Sequence, residues 1–209
     1  YDFRLFVDDA HGFGTMGKTG SGTAEEQGVI DGVDLHFSTF AKSMASIGAF
    51  IAGPKQIIDY IRYNIRSQIF AKSLPLPIVL GNLKRLELLK TKPELKNKLW
   101  ENALKLQEGL KEKGFDIGKT DSVVTPVYMK GGVEEATFMV TDLRENYNIF
   151  CSIVVYPVIP RGHIIYRLIP TAVHTDEDIA LTLKAFEETK KKLDEGAYKS
   201  EEIAQMSEA

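Results

Sequence analysis

Two short polar clusters carry side chains able to do chemistry, Asp8-Asp9-Ala10-His11 and Ser38-Thr39-Phe40-Ala41-Lys42-Ser43. Carboxylates beside an imidazole can hold a protonated ring or move a proton, and a lysine amine can bind an aldehyde covalently once a crowded pocket lowers its pKa. Small residues Ala41, Ser43, Ala45, Ser46 and Gly48 surround Lys42 and leave room for a planar group. A plainer reading stands beside each. Asp favours turns and caps, His is often a hydrogen-bonded interior residue, and most lysines are solvated surface groups. No further set of His, Cys or carboxylates follows at ligand spacing, so a metal centre ranks low. A third candidate is Arg167, set among Ile164, Ile165, Leu168 and Ile169. An unpaired guanidinium there would be costly, and its planar fork suits either a structural salt bridge or two-point capture of a carboxylate.

Gly12-Phe13-Gly14-Thr15-Met16-Gly17 has the G-x-G-x-x-G spacing that can cradle a dinucleotide pyrophosphate. In such folds the third glycine leads into an apolar-periodic helix, whereas here Lys18-Thr19-Gly20-Ser21-Gly22 continues the loop. A turn-rich loop is the stronger reading.

The elements that must position these residues follow from periodicity and punctuation. Leu5 to Val7 and Val33 to Phe37 read as strands, each ending at one of the polar clusters, and ligands gather at such strand ends in open α/β sheets. Pro54 opens a helix carrying Ile57, Ile58, Ile61 and Ile65, and a second helix is expected from Pro77 to Leu89. Leu95, Leu99, Leu106 and Leu110 then recur at near-helical spacing until Gly114 stops the helix. Strands are expected at Val123 to Met129, Ala136 to Val140, Phe150 to Val154 and Ile164 to Ile169, with Thr175-Asp176-Glu177-Asp178 capping a last helix through Leu193. The polar tail from Gly196 is expected to fray. The pattern predicts an α/β segment over 1–80, then a connecting helix and an α+β domain over 81–209.

The 209 residues, 44% of them apolar, suit a globular protein. A net charge of -3 with signs interspersed gives no reason to expect a nucleic acid or an anionic membrane as partner. The single cysteine, Cys151, leaves no internal disulfide and suits a reducing compartment, with cytoplasm as the default. The most apolar run, Ile69 to Leu80, is broken by Lys72, Pro75 and Pro77, so no transmembrane segment is expected. With no initiating Met and a strand at its opening, the sequence reads as lacking an upstream part.

Taken in order, three blocks resemble the α-oxoamine synthases. The first is Val7 to Gly14 with Gly17, Gly20 and Gly22, the second Thr39 to Ser43, and the third Tyr156-Pro157-Val158-Ile159-Pro160-Arg161-Gly162 through Tyr166-Arg167 to Ala172-Val173-His174-Thr175. The resemblance implies the C-terminal part of a fold-type I transferase, with an aspartate aminotransferase-like large domain, and pyridoxal 5'-phosphate as cofactor. By the same resemblance Lys42 would hold the cofactor and act as base, Asp8 would keep its ring nitrogen protonated, and His11 would bond the ring oxygen. Thr39 would bond the phosphate, and Arg167 would take the substrate's carboxylate. Where many relatives carry a hydroxyl that reaches the phosphate from the neighbouring subunit, this chain has Ala71, leaving only the backbone or Ser73. A second arginine found in some relatives twelve residues before the carboxylate arginine is here Val155. His174 matches a recurring position and is read as stabilising a turn.

The resemblance further implies a homodimer, with the amino acid and acyl-CoA as small-molecule partners and an upstream half that completes the cofactor domain. The context around Lys42 is similar to the serine palmitoyltransferase branch, which implies condensation of L-serine with palmitoyl-CoA. Other α-oxoamine syntheses and a catalytically silent partner subunit remain as alternatives, with a dinucleotide-binding oxidoreductase a distant one.

Overall fold

The structure, a computed structural model, describes residues 3–199. The chain divides into two compact units, Tyr1–Asn97 and Lys98–Ala209.

In the first unit, β1 (Phe6–Asp8), β2 (Leu35–Thr39) and β3 (Ala49–Ala52) form one sheet in that order. β1 and β2 run parallel with Asp8 opposite Phe37, and β2 and β3 pair antiparallel with Thr39 opposite Ala49. The glycine-rich loop and the short helix α1 (Thr23–Glu26) lie between β1 and β2. Helices α2 (Lys55–Asn64), α3 (Arg66–Ile69) and α4 (Leu76–Thr91) follow. Pro54 and Pro75 are the N-caps of α2 and α4, where a missing N–H costs nothing. Much apolar surface here is uncovered: Phe3 and Phe6 beside the free edge of β1, and Tyr60, Tyr63, Phe70, Leu76, Leu80 and Leu83 along the helices.

α5 (Pro93–Glu112) carries the chain into the second unit, where β4 (Thr125–Lys130), β6 (His163–Leu168) and β5 (Ser152–Val154) make an antiparallel sheet in the order β4-β6-β5. Alternation along β6 sends Ile164, Tyr166 and Leu168 into the core and leaves Ile165 and Arg167 on the other face. α5, α6 (Val133–Tyr147) and α7 (Asp176–Asp194) complete the core with Leu106, Leu110, Met139, Leu143 and Phe186. Phe186 sits edge-on to Tyr166 at 5.9 Å and to Phe115 at 6.1 Å, an arrangement that aromatic quadrupoles favour. The cap expected at Thr175 is present: its hydroxyl accepts from the Asp178 amide at 3.2 Å while the Asp178 carboxylate accepts from the Thr175 amide at 2.8 Å.

Two expectations are corrected. Ala136 to Val140 is not a strand but lies inside α6, whose buried residues Ala136, Met139 and Leu143 keep helical spacing. Thr137 is β-branched, as strand residues often are, yet its hydroxyl and that of Thr141 donate back to Val133 O at 2.7 Å and Thr137 O at 2.9 Å, one turn earlier. The tail is also tied down as far as Lys199. Tyr198 is buried and donates to the Asp142 carboxylate, which also accepts from Lys192 Nζ at 2.8 Å. Burial acts to raise the Asp142 carboxyl, but the bonds from Lys192, Tyr198 and Asn146 outweigh it and hold the group below the ordinary range. Residues 200–209 of that tail lie outside the described residues.

Among the described residues no helix is long and apolar enough to cross a membrane.

Candidate functional site

Because β1 and β2 are parallel neighbours, their C-terminal ends coincide and both polar clusters emerge side by side. Asp8 is opposite Phe37, and Thr39 follows two residues on, so Asp8 and Thr39 share one face of the sheet. Asp8 is exposed, and its Oδ1 accepts from the Ala10 amide at 3.0 Å. His11 lies at the next turn, exposed, with its carbonyl accepting from Thr15 Oγ1 at 2.9 Å.

The segment after β2 closes on itself. Phe40 N donates to Gly48 O at 2.9 Å, Ser46 N to Phe40 O at 2.8 Å, and Ala45 N to Lys42 O at 2.9 Å. Thr39 Oγ1 donates to Gly48 O at 3.0 Å and accepts from the Ala41 amide at 3.1 Å, so its hydroxyl braces the loop that bears Lys42. The two clusters meet where Gly14 faces Ser43. A β-carbon at Gly14 would lie 2.5 Å from Ser43 Oγ, and Gly14 has φ +82, so any side chain there would both clash and be strained. Phe13 against Phe50 at 5.1 Å, and Phe40 against Phe50 at 5.6 Å, tie the two loops to β3. Ser73 is exposed, and its neighbour Leu74 fills the space where a β-carbon on Gly48 would sit.

Thus Asp8, His11, Thr39 and Lys42 gather at one strand end. The pocket expected to crowd Lys42 is not formed by this chain's described residues, since the side chain is exposed and without an ion pair among them. Arg167 belongs to the second unit. It is half-buried on β6, its Nε donates to Ser152 Oγ at 3.1 Å, and no carboxylate pairs with it among the described residues. Among the described residues, then, Arg167 has no structural salt bridge. His174 Nδ1 accepts from the Thr171 amide at 3.2 Å, and buried Asn102 donates to Thr171 O and His174 O, which makes His174 part of a braced turn.

Sequence reasoning passed over three carboxylates. Buried Asp9 accepts from Thr23 N at 2.7 Å and Thr23 Oγ1 at 2.6 Å. Glu25 accepts from the amides of Thr19 and Ser21, and Glu26 from Gly17 N at 2.7 Å. The sequence signal was there, in a second acid one residue beyond Asp8 and an acidic pair just after the loop. These contacts also exclude the pyrophosphate reading. The loop's amides are already bonded, those of Gly17, Thr19, Ser21 and Thr23 to carboxylates whose charge would repel a phosphate and others to backbone carbonyls, and the helix that follows has only four residues. No group of His, Cys, Asp or Glu suited to a metal occurs among the described residues.

The strand-end residues suit pyridoxal phosphate. Among the described residues Asp8 Oδ2 has no hydrogen bond and can receive a ring N–H, Lys42 has no ion pair, and Gly14 meets Ser43 beside Lys42 without a side chain of its own. Known proteins agree with this chemistry. A cysteate-C-fatty acyltransferase of Capnocytophaga ochracea is 60% identical over 96% of this chain and 48% of its own length. A serine palmitoyltransferase of Sphingobacterium spiritivorum is 40% identical over 86% of the chain and 44% of its length. A solved serine palmitoyltransferase from S. paucimobilis, with PLP and myriocin bound, superposes with a TM-score of 0.83 at 29% identity, covering 90% of this chain and 47% of that one. The chain thus spans about half the length of the relatives it matches. The profile for "Aminotransferase class I and II" matches residues 1–197. The chain belongs to that family, whose cofactor is pyridoxal phosphate, and its relatives within it are α-oxoamine synthases.

Proposed function

We propose that the whole protein joins an amino acid to a fatty acyl thioester at carbon, with loss of carbon dioxide. The observation that carries this is the meeting of Asp8, His11, Thr39 and Lys42 at the parallel strand end, with Gly14 pressed against the neighbour of Lys42. Pyridoxal phosphate, when bound, supplies the electron sink that makes the amino acid's α-carbon acidic. Lys42 Nζ holds the cofactor at rest and takes the α-proton, and the Asp8 carboxylate keeps the ring nitrogen protonated. His11 bonds the ring oxygen. Thr39 would offer its hydroxyl to the phosphate, and Ser73, two residues after Ala71, carries the hydroxyl that Ala71 lacks. The half-buried Arg167 guanidinium, bonded through Nε alone among the described residues, would offer its terminal nitrogens to the substrate's carboxylate.

We assign residues 1–80 to the large cofactor domain and 81–209 to a connecting helix and small domain. The uncovered apolar face of the first unit is suited to the remaining half of the protein and to a second copy.

For the amino acid, the 60% identity to a cysteate-C-fatty acyltransferase favours L-cysteate, whereas the context of Lys42 favours L-serine with palmitoyl-CoA. Purified full-length protein given palmitoyl-CoA with L-cysteate, L-serine or glycine is expected to release CoA thiol and carbon dioxide fastest with cysteate. Serine as the faster substrate would restore the second reading, and turnover of glycine alone would overturn both.

A further inference from the structure

We infer that Asp9 is a positioning residue for this reaction: from the face opposite Asp8, it fixes the glycine loop that sets His11 and the Lys42 segment. The inference rests on the proposed function for its catalytic consequence but on geometry alone for the clasp. Successive residues of an extended strand point to opposite faces, so one strand end gives Asp8 to the site and Asp9 to the interior. Asp9 is only 9% exposed, and such burial of a polar side chain is tolerated when its oxygens are bonded.

Each oxygen has a partner. Oδ2 accepts from Thr23 N at 2.7 Å and Oδ1 from Thr23 Oγ1 at 2.6 Å. The backbone of Asp9 is held as well, donating to Phe37 O at 2.8 Å and accepting from Phe13 N at 3.0 Å and Ser38 Oγ at 3.2 Å. The loop folds tightly around this carboxylate. A β-carbon on Gly12 would stand 2.1 Å from Asp9 Oδ1, and one on Gly22 would stand 1.8 Å from Oδ2. Both ends of the loop therefore touch one buried acid, with only glycine able to come so close. From that anchor the chain runs through Phe13, which packs on Phe50, to Gly14, which abuts Ser43 beside Lys42. Loosening Asp9 should release His11 at one end and the contact with Ser43 at the other.

The test uses three variants of the full-length protein. Asp9→Asn places an amide against Thr23 donors that need an acceptor, Thr23→Val removes one bond, and Thr23→Ser retains both. In cofactor-free protein, amides from Gly12 to Thr23 are expected to exchange about ten-fold faster in Asp9→Asn, less so in Thr23→Val, and unchanged in Thr23→Ser. With cofactor bound, the pH midpoint of its absorbance should shift in the same order. The kcat should fall by about ten-fold for Asp9→Asn with KM for the amino acid little changed, since the acid touches no substrate. Faster exchange with unmoved absorbance titration and kcat would reduce Asp9 to a structural clasp and overturn the inference, as would unchanged exchange. If Asp9→Asn fails to fold, the contrast between Thr23→Val and Thr23→Ser decides the matter by the same readings. An unaltered protein that binds no cofactor would instead defeat the proposed function, leaving the exchange result to stand or fall separately.

Discussion

Full-length protein carrying Lys42→Ala is expected to lose turnover by about 10^4-fold or more, because the substitution removes both the amine that holds the cofactor and the base that takes the α-proton. Cofactor still bound through other contacts should then be dislodged by dialysis and should not be fixed to the chain by borohydride. The exposed position of Lys42 makes this a clean test, since the side chain packs against nothing whose loss would unfold the unit. Borohydride labelling of the alanine variant at wild-type level, or wild-type turnover, would remove Lys42 from the role.

Phe186→Ala is expected to have the largest effect on stability. The ring is fully buried between Phe115 and Tyr166, and emptying such a site costs about 3–5 kcal/mol because the surrounding side chains collapse only in part. Native-state amide exchange along β6 and α7 should report that loss, while amides of β2 in the first unit serve as the internal reference. A loss below about 1 kcal/mol would mean that the core repacks around the vacancy.

Much of this arrangement was legible in the residues. Strands before Asp8 and Lys42, the helix from Pro93 and the Thr175 cap are local events, written in alternation, periodicity and capping chemistry within a few positions. The α-oxoamine synthase resemblance was also legible, because three motifs in fixed order are hard to reach by accident, and the comparisons agree with it. What failed was decided across distance. The helix at Ala136–Val140 depends on packing of Met139 and Leu143 that the β-branched Thr137 and Val140 obscure, and Tyr198 is held by Asp142, 56 positions away. The small neighbours of Lys42 leave room for a planar group and do no more than leave it, so any crowding must come from other chain. Asp9 stood in the same polar cluster as Asp8, but its place on the opposite side of the strand gives it a different task. Its partner Thr23, 14 positions on, could not be read without the fold. The choice between serine and cysteate was likewise not settled by the residues, since the context of Lys42 points to serine while the 60% identity to a cysteate-C-fatty acyltransferase points to cysteate.

The loop after His11 is held partly by its own backbone bonds and partly by carboxylates that accept from its amides, and the Glu25 part of that hold is the one that acid can undo. Burial acts to raise the Glu25 carboxyl, but bonds from Ser21 and Thr19 and the nearby Lys96 outweigh it, so the folded group titrates below its free value. Such a group lends its support above the unfolded pKa and withdraws it as pH falls through the folded one. Acid should therefore loosen the Glu25 contacts while the apolar core of the second unit stays closed, and the amides of Thr19 and Ser21 would be first to exchange as protons arrive.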